Sequence, residues 1–297
     1  MMNKNIVMCG CHTGGVKAIE GLLSAGYKFN WFVCLTPEQS KKYHISGYYD
    51  YRNIADKYNI PYYIPESYSL KSKKDANFFY QNKFDLLLQG GWQRLFPKDI
   101  IQSLKIGAIG LHGSSDKLPK GRGRSPMNWS LIEGKKRFLM HLFMIKPGVD
   151  DGGIIAIDDF DITLFDDIET LYFKYSLTYK KLLLKELPNL LNKKIDLIPQ
   201  IGTPSYYPKR SPEDGLIDWE EMDVWKIYDF IRAQTKPYPG AFSNIEGVRI
   251  IIWRARIFDL RIRYDSYGYG EVVERFGKRM LINCRGGLLL VDDWEDL

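Results

Sequence analysis

The sequence predicts a doubly wound α/β domain followed by a smaller β domain. Short apolar runs such as "NIVMCG" (5–10) and "FDLLLQGG" (84–91) alternate with segments of helical periodicity such as "GVKAIEGLLSAG" (15–26). Strands that alternate with helices in this way form a mostly parallel sheet with helices on both faces. After a stretch rich in Pro, Gly and Ser (199–215), the pattern changes to short strands with alternating apolar residues.

The first domain continues this alternation. Further strands are predicted at 30–35, 61–65, 106–112, 137–145 and 154–162, and further helices at 51–59, 73–82, 98–105, 125–134 and 166–193. The helix at 125–134 is expected to have Ser125 as its N-cap and Pro126 as its first residue, since both residue types favour those positions. Ligands of such sheets bind at the carboxyl ends of the strands, where we expect His112 to lie.

The residues after the linker predict a small β-barrel of the OB type. One helix (222–235) precedes short strands that are separated by turns, at 248–259, 270–276, 279–284 and 287–293. Short strands of this kind are typical of small closed β domains. We therefore expect a catalytic domain at 1–200 and a C-terminal domain at 201–297.

Composition and charge narrow the class of protein. No apolar run is long enough to cross a membrane, and the N-terminus lacks a cleavable signal pattern, so we expect a cytoplasmic protein. The formal net charge of +6 favours an anionic partner without requiring nucleic acid. Metal-site spacing is absent from the four cysteines, which we expect to be buried free thiols: Cys9, Cys11, Cys34 and Cys284.

One glycine-rich stretch and one basic stretch bear on which ligands the chain binds. "GCHTGG" (10–15) lacks the G-x-G-x-x-G spacing, and no acidic residue ends the second strand, which argues against a dinucleotide cofactor. "GLHGSSDKLPKGRGRSP" (110–126) combines His112 with Lys120, Arg122 and Arg124. This stretch is either a flexible basic surface loop or a histidine held beside an anion site.

The stretch around His112, followed by "HLFMIKPGVDDGGII", resembles the 10-formyltetrahydrofolate-dependent formyltransferases. His112 and His141 match the two histidines of the family, and Asp150 matches the aspartate of its Gly-x-Asp-x-Gly turn. "YYPKRSPEDGLIDW" and "IYDFIRAQTKPYPGAFS" are similar to the C-terminal domain of methionyl-tRNA formyltransferase and its sugar-modifying relatives. The resemblance covers nearly the whole chain and implies a Rossmann-like core, an OB-like second domain and 10-formyltetrahydrofolate as co-substrate.

The resemblance also implies roles for individual residues. An amine that attacks a formyl group must lose a proton, which suits the imidazole of His112 with the Asp150 carboxylate to orient it. His141 is expected to be structural. The loop "GGWQRLFP" (90–97) resembles the family loop whose backbone binds the pterin ring. The candidate folate-binding residues are Trp92, Gln93, Arg94, Leu95, Gly148 and Val149.

One position departs from the family pattern. Gly110 stands where the family has an asparagine, two residues before the histidine. The resemblance implies that such an asparagine holds the oxyanion, and loss of one such donor costs about 10²–10³ in rate. Three interpretations stay open: another group or a water molecule replaces the asparagine, turnover is slow, or the activity is altered.

Residues 110–134 and 11–27 look closest to formyltransferases that act on nucleotide-linked amino sugars (dTDP-, UDP- or GDP-linked) of surface polysaccharides. A nucleotide diphosphate would meet a local basic loop, so the candidate substrate-binding residues are His12, Lys120, Arg122 and Arg124. For His12, capping of a helix is an equal alternative. Methionyl-tRNA is the rival acceptor, but it needs a broad positive surface that the interleaved acidic residues disfavour. A folate- or nucleotide-binding regulator without catalysis is a further alternative, and a homodimer is left open.

Overall fold

One mixed β-sheet organises the first part of the chain. In the computed structural model, which describes residues 4–45 and 47–297, the strands of this sheet alternate with helices as predicted. The strands up to residue 161 are β1 (Ile6–Gly10), β2 (Trp31–Cys34), β3 (Tyr62–Tyr63), β4 (Leu86–Gly90), β5 (Gly107–Ser114), β6 (Arg122–Gly123), β7 (Arg137–Met144) and β8 (Ile154–Asp161). All of these except β6 join the sheet, in the order β3-β2-β1-β4-β5-β7-β8.

The central strands of this sheet are parallel. β1 pairs with β2 and β4, β2 with β3, and β4 with β5, all in parallel register. β7 runs antiparallel to β5 and places His141 opposite His112. The strand order reverses between β1 and β4, and ligands of doubly wound sheets bind at the carboxyl ends of strands at such a point. The predicted α/β class is therefore confirmed.

The helices of this part are α1 (Val16–Ser24), α2 (Pro37–Tyr43), α3 (Arg52–Lys57), α4 (Lys73–Asn82), α5 (Lys98–Ser103), α6 (Pro126–Ile132) and α7 (Ile168–Leu191). Sequence reasoning missed α2, although Thr36 and Gln39 form a capping box at its start: each side chain bonds the backbone N–H of the other residue. Across the part of the chain that the structure describes, no helix is both long and apolar enough to span a bilayer.

The start of α6 lies where the sequence predicts it. The helix begins at Pro126 and Ser125 occupies the N-cap position, as expected. However, Ser125 makes no side-chain cap hydrogen bond, because its backbone has the left-handed conformation with φ of 51°. An extended backbone is what normally turns the hydroxyl of an N-cap towards the first turn. Ser125 and Pro126 thus hold the predicted positions, without the hydrogen bond that N-cap side chains usually make.

The strand that carries His112 is longer than predicted. Pairing of β5 with β4 ends at Ile109, whereas pairing of β5 with β7 continues to Ser114. His112 thus lies three residues beyond the last residue of β5 that pairs with β4. Alternate residues of a strand face the same side of a sheet, so Gly110 and His112 share one face. These residues stand at the carboxyl end of the parallel part of the sheet.

The described residues form two compact units. Arg124–Phe138, Asp161–Leu171 and Tyr207–Leu297 belong to the second unit, and the other described residues belong to the first. The remaining elements are β9 (Tyr206–Tyr207), α8 (Val224–Arg232), β10 (Ala241–Ile245), β11 (Val248–Asp259), β12 (Val272–Phe276), β13 (Arg279–Cys284) and β14 (Gly287–Asp296). The predicted domain boundary at residue 200 stays a prediction.

The second unit contains a five-stranded antiparallel sheet in the order β10-β11-β14-β13-β12. One face of α8 packs on it, since Ile227 and Phe230 share a buried core with Ile252, Ile282 and Leu289. Sequence reasoning missed β10, which pairs with β11 through a short turn at Glu246 and Gly247. A small C-terminal β domain is therefore confirmed.

The cysteines behave as buried hydrophobic side chains. All four are free and buried, as predicted. Burial raises the pKa of the Cys11 thiol to about 11, and its sulfur contacts the Tyr68 hydroxyl at 3.2 Å. Thiols without thiolate character are poor nucleophiles and poor metal ligands. Within residues 4–45 and 47–297, no cluster of three or more His, Cys, Asp or Glu side chains is placed to hold a metal ion.

Candidate active site

His112 and Asp150 face each other in the first unit. Nδ1 of His112 lies 3.4 Å from Oδ2 of Asp150, and Nε2 lies 2.8 Å from the carbonyl oxygen of Gly121. His112 is only 7% exposed, whereas the side chain of Asp150 is 22% exposed, so the pair joins a buried imidazole to a carboxylate that solvent can reach. Both nitrogens of the ring face an oxygen acceptor, and an imidazolium can donate to both. The arrangement suits a group that takes up a proton and then releases it.

The turn that carries Asp150 has a constrained backbone. Asp150 itself has φ of 49°, in the left-handed region that residues other than glycine rarely adopt. Its Oδ2 also accepts a hydrogen bond of 3.3 Å from the backbone N–H of Gly123. Gly152 lies so close to Met144 that a Cβ at this position would stand 1.6 Å from the Met144 carbonyl oxygen. Only glycine fits there, which fixes the path of the chain after Asp150.

Gln200 holds this turn in place and was missed by sequence reasoning. Its Nε2 donates to the carbonyl oxygens of Asp150 (2.7 Å) and Gly152 (2.8 Å). Its Oε1 accepts a hydrogen bond of 2.6 Å from Nη2 of Arg122. One amide thus joins the turn of Asp150 to β6. Gln200 lies in the stretch interpreted as a linker, where neither periodicity nor a motif marks it.

Arg122 is buried instead of being displayed at the surface. It is 9% exposed, and its guanidinium donates to Gln200 Oε1 and to the Tyr206 hydroxyl. In the described residues, no carboxylate lies within ion-pair distance of this guanidinium. A guanidinium stays protonated, and neutral partners do not cancel its charge. Arg122 therefore keeps a positive charge that an anionic ligand can meet.

His141 is structural, as the sequence predicts. It is fully buried, and its Nδ1 lies 3.3 Å from the carbonyl oxygen of His112. Its Nε2 accepts a hydrogen bond of 3.3 Å from the backbone N–H of Leu118. Burial, and to a smaller extent the neighbouring His112, lowers the pKa of His141 to about 4. The neutral imidazole of His141 thus links the backbone of Leu118 to the backbone of β5 at His112.

The loop at 90–97 is anchored by Tyr68. The Tyr68 hydroxyl accepts from the backbone N–H of Gln93 at 2.9 Å, and its ring lies under the guanidinium of Arg94 and against Trp92. Trp92 is 2% exposed, and its Nε1 has no hydrogen-bond partner among the described residues. Gln93, Arg94 and Leu95 are exposed at the tip. The loop thus has three exposed residues at its tip, next to the buried N–H donor of Trp92.

The turn at 148–152 contains a buried acceptor, which complements the buried N–H donor of Trp92. Gly148 is partly exposed and Val149 is 40% exposed. Oδ1 of Asp151 is buried and, among the described residues, has no hydrogen-bond partner. Buried polar atoms in folded proteins usually find partners, so exceptions of this kind point to missing ligands or water. The two loops that the sequence assigns to folate thus hold one unsatisfied donor and one unsatisfied acceptor.

The other predicted substrate residues divide into exposed and structural groups. Lys120 and Arg124 are exposed. The Lys120 carbonyl accepts from the Ser114 hydroxyl, and the backbone N–H of Arg124 donates to Tyr207. Nδ1 of His12 accepts from the backbone N–H of Gly14, which caps a short 3₁₀ helix at Thr13–Gly15, and burial lowers the pKa of His12 to about 4. Of the two alternatives for His12, the contacts match the cap.

The fold and the site together define a class of protein: a doubly wound α/β protein with a histidine–aspartate pair at its strand ends and a small β domain. Comparison with known protein families is consistent with that class. The model described as "Formyl transferase" matches residues 52–187, and the model described as "Formyl transferase, C-terminal domain" matches residues 209–296. The chain belongs to the formyl transferase family, as its sequence motifs indicate.

Two curated relatives differ in how much of them this chain covers. The bifunctional polymyxin resistance protein ArnA of Wigglesworthia glossinidia brevipalpis is 31% identical over 282 residues, which is 94% of this chain. This chain spans only 41% of the length of that relative. Methionyl-tRNA formyltransferase of Enterococcus faecalis is 28% identical over 289 residues, which cover 97% of this chain and 90% of the relative.

Solved structures share the fold at low sequence identity. An N-formyltransferase from Helicobacter canadensis, in complex with folinic acid and dTDP-3-aminofucose, aligns with a TM-score of 0.69 at 17% identity, over 98% of this chain and all of that chain. HypX from Aquifex aeolicus aligns with a TM-score of 0.69 at 15% identity, over 99% of this chain but only 44% of its own. At this level of identity, the structural similarity shows a shared fold.

Proposed function

We propose that this protein is an N-formyltransferase that moves the formyl group of 10-formyltetrahydrofolate to the amine of a nucleotide-linked amino sugar. The observation that carries the proposal is the His112–Asp150 pair, whose side chains lie 3.4 Å apart, with the imidazole buried. Both residues occupy the positions of the family motifs. The complex of the Helicobacter canadensis enzyme with folinic acid and dTDP-3-aminofucose supports both ligand classes.

His112 acts on the proton of the attacking amine. To accept that proton at Nε2, the imidazole donates from Nδ1 to Asp150, whose negative charge stabilises the imidazolium that results. Nε2 lies 2.8 Å from the Gly121 carbonyl oxygen, so the amine must take the place of this carbonyl. Entry of the acceptor therefore requires a shift of the backbone at Gly121.

The two loops assigned to folate fit a pterin ring chemically. Nε1 of Trp92 is a buried donor and Oδ1 of Asp151 a buried acceptor, and neither has a partner among the described residues. A pterin ring carries both acceptors and donors along its edge. When bound, 10-formyltetrahydrofolate supplies the formyl group on a nitrogen that leaves. Because Arg94 already stacks on Tyr68, Arg94→Ala should weaken folate binding only modestly.

Charge favours a small anionic acceptor. Among the described residues, the guanidinium of Arg122 donates to the neutral groups Gln200 and Tyr206, so the two phosphates of a nucleotide diphosphate can pair with its charge. Lys120 and Arg124 are exposed and can add to this attraction. We place the reaction in the cytoplasm, since free thiols persist in a reducing compartment. No nucleic acid is needed for this function, and a homodimer is compatible with it.

A panel of acceptors tests the proposed function. The protein is incubated with 10-formyltetrahydrofolate and dTDP-, UDP- or GDP-linked amino sugars, and products are read by mass spectrometry for the gain of one formyl group. The matched control is His112→Ala, which should abolish the gain without loss of fold. Formylation of methionyl-tRNA with no product from any nucleotide sugar would refute the sugar assignment.

Methionyl-tRNA formylation is the second candidate function. The Enterococcus faecalis methionyl-tRNA formyltransferase aligns with this chain over 90% of its own length, which favours this alternative. The modest formal charge of +6, from 42 basic and 36 acidic residues, argues against it. The same panel, extended by methionyl-tRNA, separates the two acceptors directly.

A further inference from the structure

Asp150 is the one polar side chain that contacts the imidazole of His112, among the residues that the structure describes. Position 110 contributes none, because it is a glycine. The space beside Gly110 is filled by the side chains of Gln89 and Ile145, with atoms 3.0 Å and 3.1 Å from a Cβ built there. The alignment of the imidazole therefore depends on what holds the Asp150 carboxylate in place.

Gln200 holds the backbone around Asp150 with both hydrogens of its amide nitrogen. Nε2 donates to the carbonyl oxygens of Asp150 and Gly152, at 2.7 Å and 2.8 Å. An amide nitrogen carries two hydrogens, so both are used here. The two bonds hold a turn in which Asp150 has φ of 49°, a left-handed conformation that residues other than glycine rarely adopt. Because the Asp150 side chain leaves from this backbone, the two bonds help to set its direction.

Arg122 holds the other end of the Gln200 amide. Oε1 of Gln200 accepts hydrogen bonds from Nη2 of the guanidinium at 2.6 Å and from Nε at 3.2 Å. A reversed amide would point its nitrogen at a cation and its oxygen at two carbonyl oxygens, so the partners fix the orientation of the amide. Gln200 thus directs its two N–H donors to the turn because Arg122 occupies its oxygen.

The carboxylate of Asp150 contacts the same short strand, β6. Its Oδ2 accepts a hydrogen bond of 3.3 Å from the backbone N–H of Gly123, the residue after Arg122. The contacts therefore close a ring from Arg122 through the Gln200 amide and Asp150 to Gly123. His112 joins this ring at the carboxylate, with Nδ1 3.4 Å from Oδ2. All of these residues belong to the first unit. Loss of the amide would open the ring on the backbone side of Asp150.

We propose that Gln200 is a positioning residue for formyl transfer, which orients the Asp150 carboxylate towards Nδ1 of His112 while it binds the Arg122 guanidinium. The carboxylate stabilises the imidazolium that forms when His112 takes the proton of the amine. A displacement of about 1 Å at a reacting group can cost about 10²-fold in rate, so a residue that does not touch the substrate can control kcat. This inference rests on the proposed function and applies to any amine acceptor.

A purely structural role for Gln200 makes a different prediction. If the amide only stabilised the fold, its loss would lower the free energy of unfolding and leave the kcat of the folded protein unchanged. A positioning role lowers kcat, and it does so only while a carboxylate at position 150 is present to be oriented. The two roles therefore separate in a double-mutant cycle with Asp150→Asn.

The experiment compares Gln200→Met with Thr203→Val, a control at an exposed hydroxyl of the same stretch. kcat is measured at saturating folate with an acceptor of the panel that the protein formylates. Gln200→Met should lower kcat by about tenfold in the wild-type background and by less than about twofold in the Asp150→Asn background. Thr203→Val should leave kcat unchanged in both. An equal loss in the two backgrounds, or no loss in either, overturns the proposal.

A second variant covers the case in which Gln200→Met does not fold. Gln200→Glu retains the acceptor for Arg122 and removes both N–H donors to the turn. It should fold, as circular dichroism can check, and lower kcat by about tenfold. A folded Gln200→Glu protein with wild-type kcat counts against the proposal.

A measurement without any acceptor keeps this inference separate from the proposed function. The ring nitrogens of His112 are observed by NMR in protein labelled with nitrogen-15 histidine, and His112→Ala identifies their signals. Gln200→Met should move the Nδ1 signal in the same direction as Asp150→Asn, and Thr203→Val should not move it. If the protein formylates no acceptor, the proposed function fails, while this shift still supports the positioning of Asp150 by Gln200. If Gln200→Met leaves the signal unchanged, the proposal is overturned whatever the acceptor is.

Discussion

The two facing histidines of β5 and β7 have opposite surroundings. His141 is fully buried, and both of its nitrogens contact backbone groups, Leu118 on one side and the His112 carbonyl on the other. His112 retains slight exposure, and one of its nitrogens faces the carboxylate of Asp150. The same residue type is thus a neutral imidazole bonded to the backbone in one strand and, in the function proposed above, the proton acceptor in the next. The carboxylate and the slight exposure make the difference.

The largest expected effect separates the two histidines. His112→Ala should lower kcat by at least about 10²-fold, because the amine loses its general base. His141→Gln should keep kcat within about tenfold, since an amide can still donate to one backbone group and accept from another. Steady-state kinetics of both variants, with circular dichroism as a check on folding, measures the contrast. Equal losses in the two variants would remove the distinction drawn here.

Removal of the Asp150 charge tests the reason for that distinction. Asp150→Asn should lower kcat by about 10²-fold with little change in KM, because the imidazolium loses its anionic partner while the shape of the turn is kept. Asp116→Asn is the control, since Asp116 is an exposed carboxylate in the stretch that carries His112. Full activity of Asp150→Asn would show that the carboxylate does not define the active histidine.

Protonation of His141 at low pH should lower the free energy of unfolding. An imidazole has a pKa near 6.5 when unfolded, and burial lowers that of His141 to about 4. The unfolded chain therefore binds a proton between these values that the folded chain does not bind. Stability is fully present above pH 6.5 and is lost as the pH falls to 4, by about 3 kcal/mol. Urea unfolding at pH 7 and pH 4.5 measures this loss of stability. The loss should be smaller in His141→Gln than in the wild-type protein. An equal loss in both proteins would contradict the assignment of the pH dependence to His141.

The arginines of the basic loop offer a second pair of buried and exposed groups. Arg122→Ala should raise the KM for the nucleotide sugar about tenfold or more, as expected for a charge-assisted hydrogen bond. Arg124→Ala should raise it by no more than about fivefold, since exposed charges contribute little. KM is measured at fixed, saturating folate. If Arg124→Ala has the larger effect, the phosphates bind at the exposed residue.

Of the changes considered, a rise in salt concentration should have the smallest effect on the kinetics. The KM for a nucleotide sugar should rise by no more than about threefold from low to physiological salt, because only a few charges meet two phosphates. A tRNA acceptor would instead lose affinity steeply, in proportion to the phosphates contacted. Titration with NaCl at constant pH measures this slope. A steep slope would shift the assignment towards tRNA.

Sequence reasoning identified the parts of the fold that follow from local patterns. Buried runs such as Ile6–Gly10 and Leu86–Gly90 are strands, because apolar runs of this length between helices have little alternative in a parallel sheet. The helix at Pro37–Tyr43 was missed although Thr36 and Gln39 carry a capping signal, because its short length gives little periodicity. Resemblance to family motifs predicted that His112 and Asp150 share a site, and the structure brings their side chains to 3.4 Å.

The supporting residues of the site could not be found in this way. Gln200 contacts Arg122 across 78 positions of the chain, within a stretch that lacks regular structure. Gln89 lies in an ordinary strand, and its place beside Gly110 depends on which strands are neighbours and on their register. Such contacts arise from the assembled sheet. A pattern along one strand does not contain them.

The crowded surroundings of Gly110 also bear on how such chains are recognised and how they evolve. Asparagine introduced at this position would place its Cβ 3.0–3.1 Å from side-chain atoms of Gln89 and Ile145, so at least one of these side chains would have to shift to admit it. A change to the asparagine of the family pattern therefore calls for an adjustment of its neighbours as well. A search that demands asparagine before the histidine would discard this chain. Homologues of this kind are better sorted by the histidine and the aspartate of the site than by the residue at position 110.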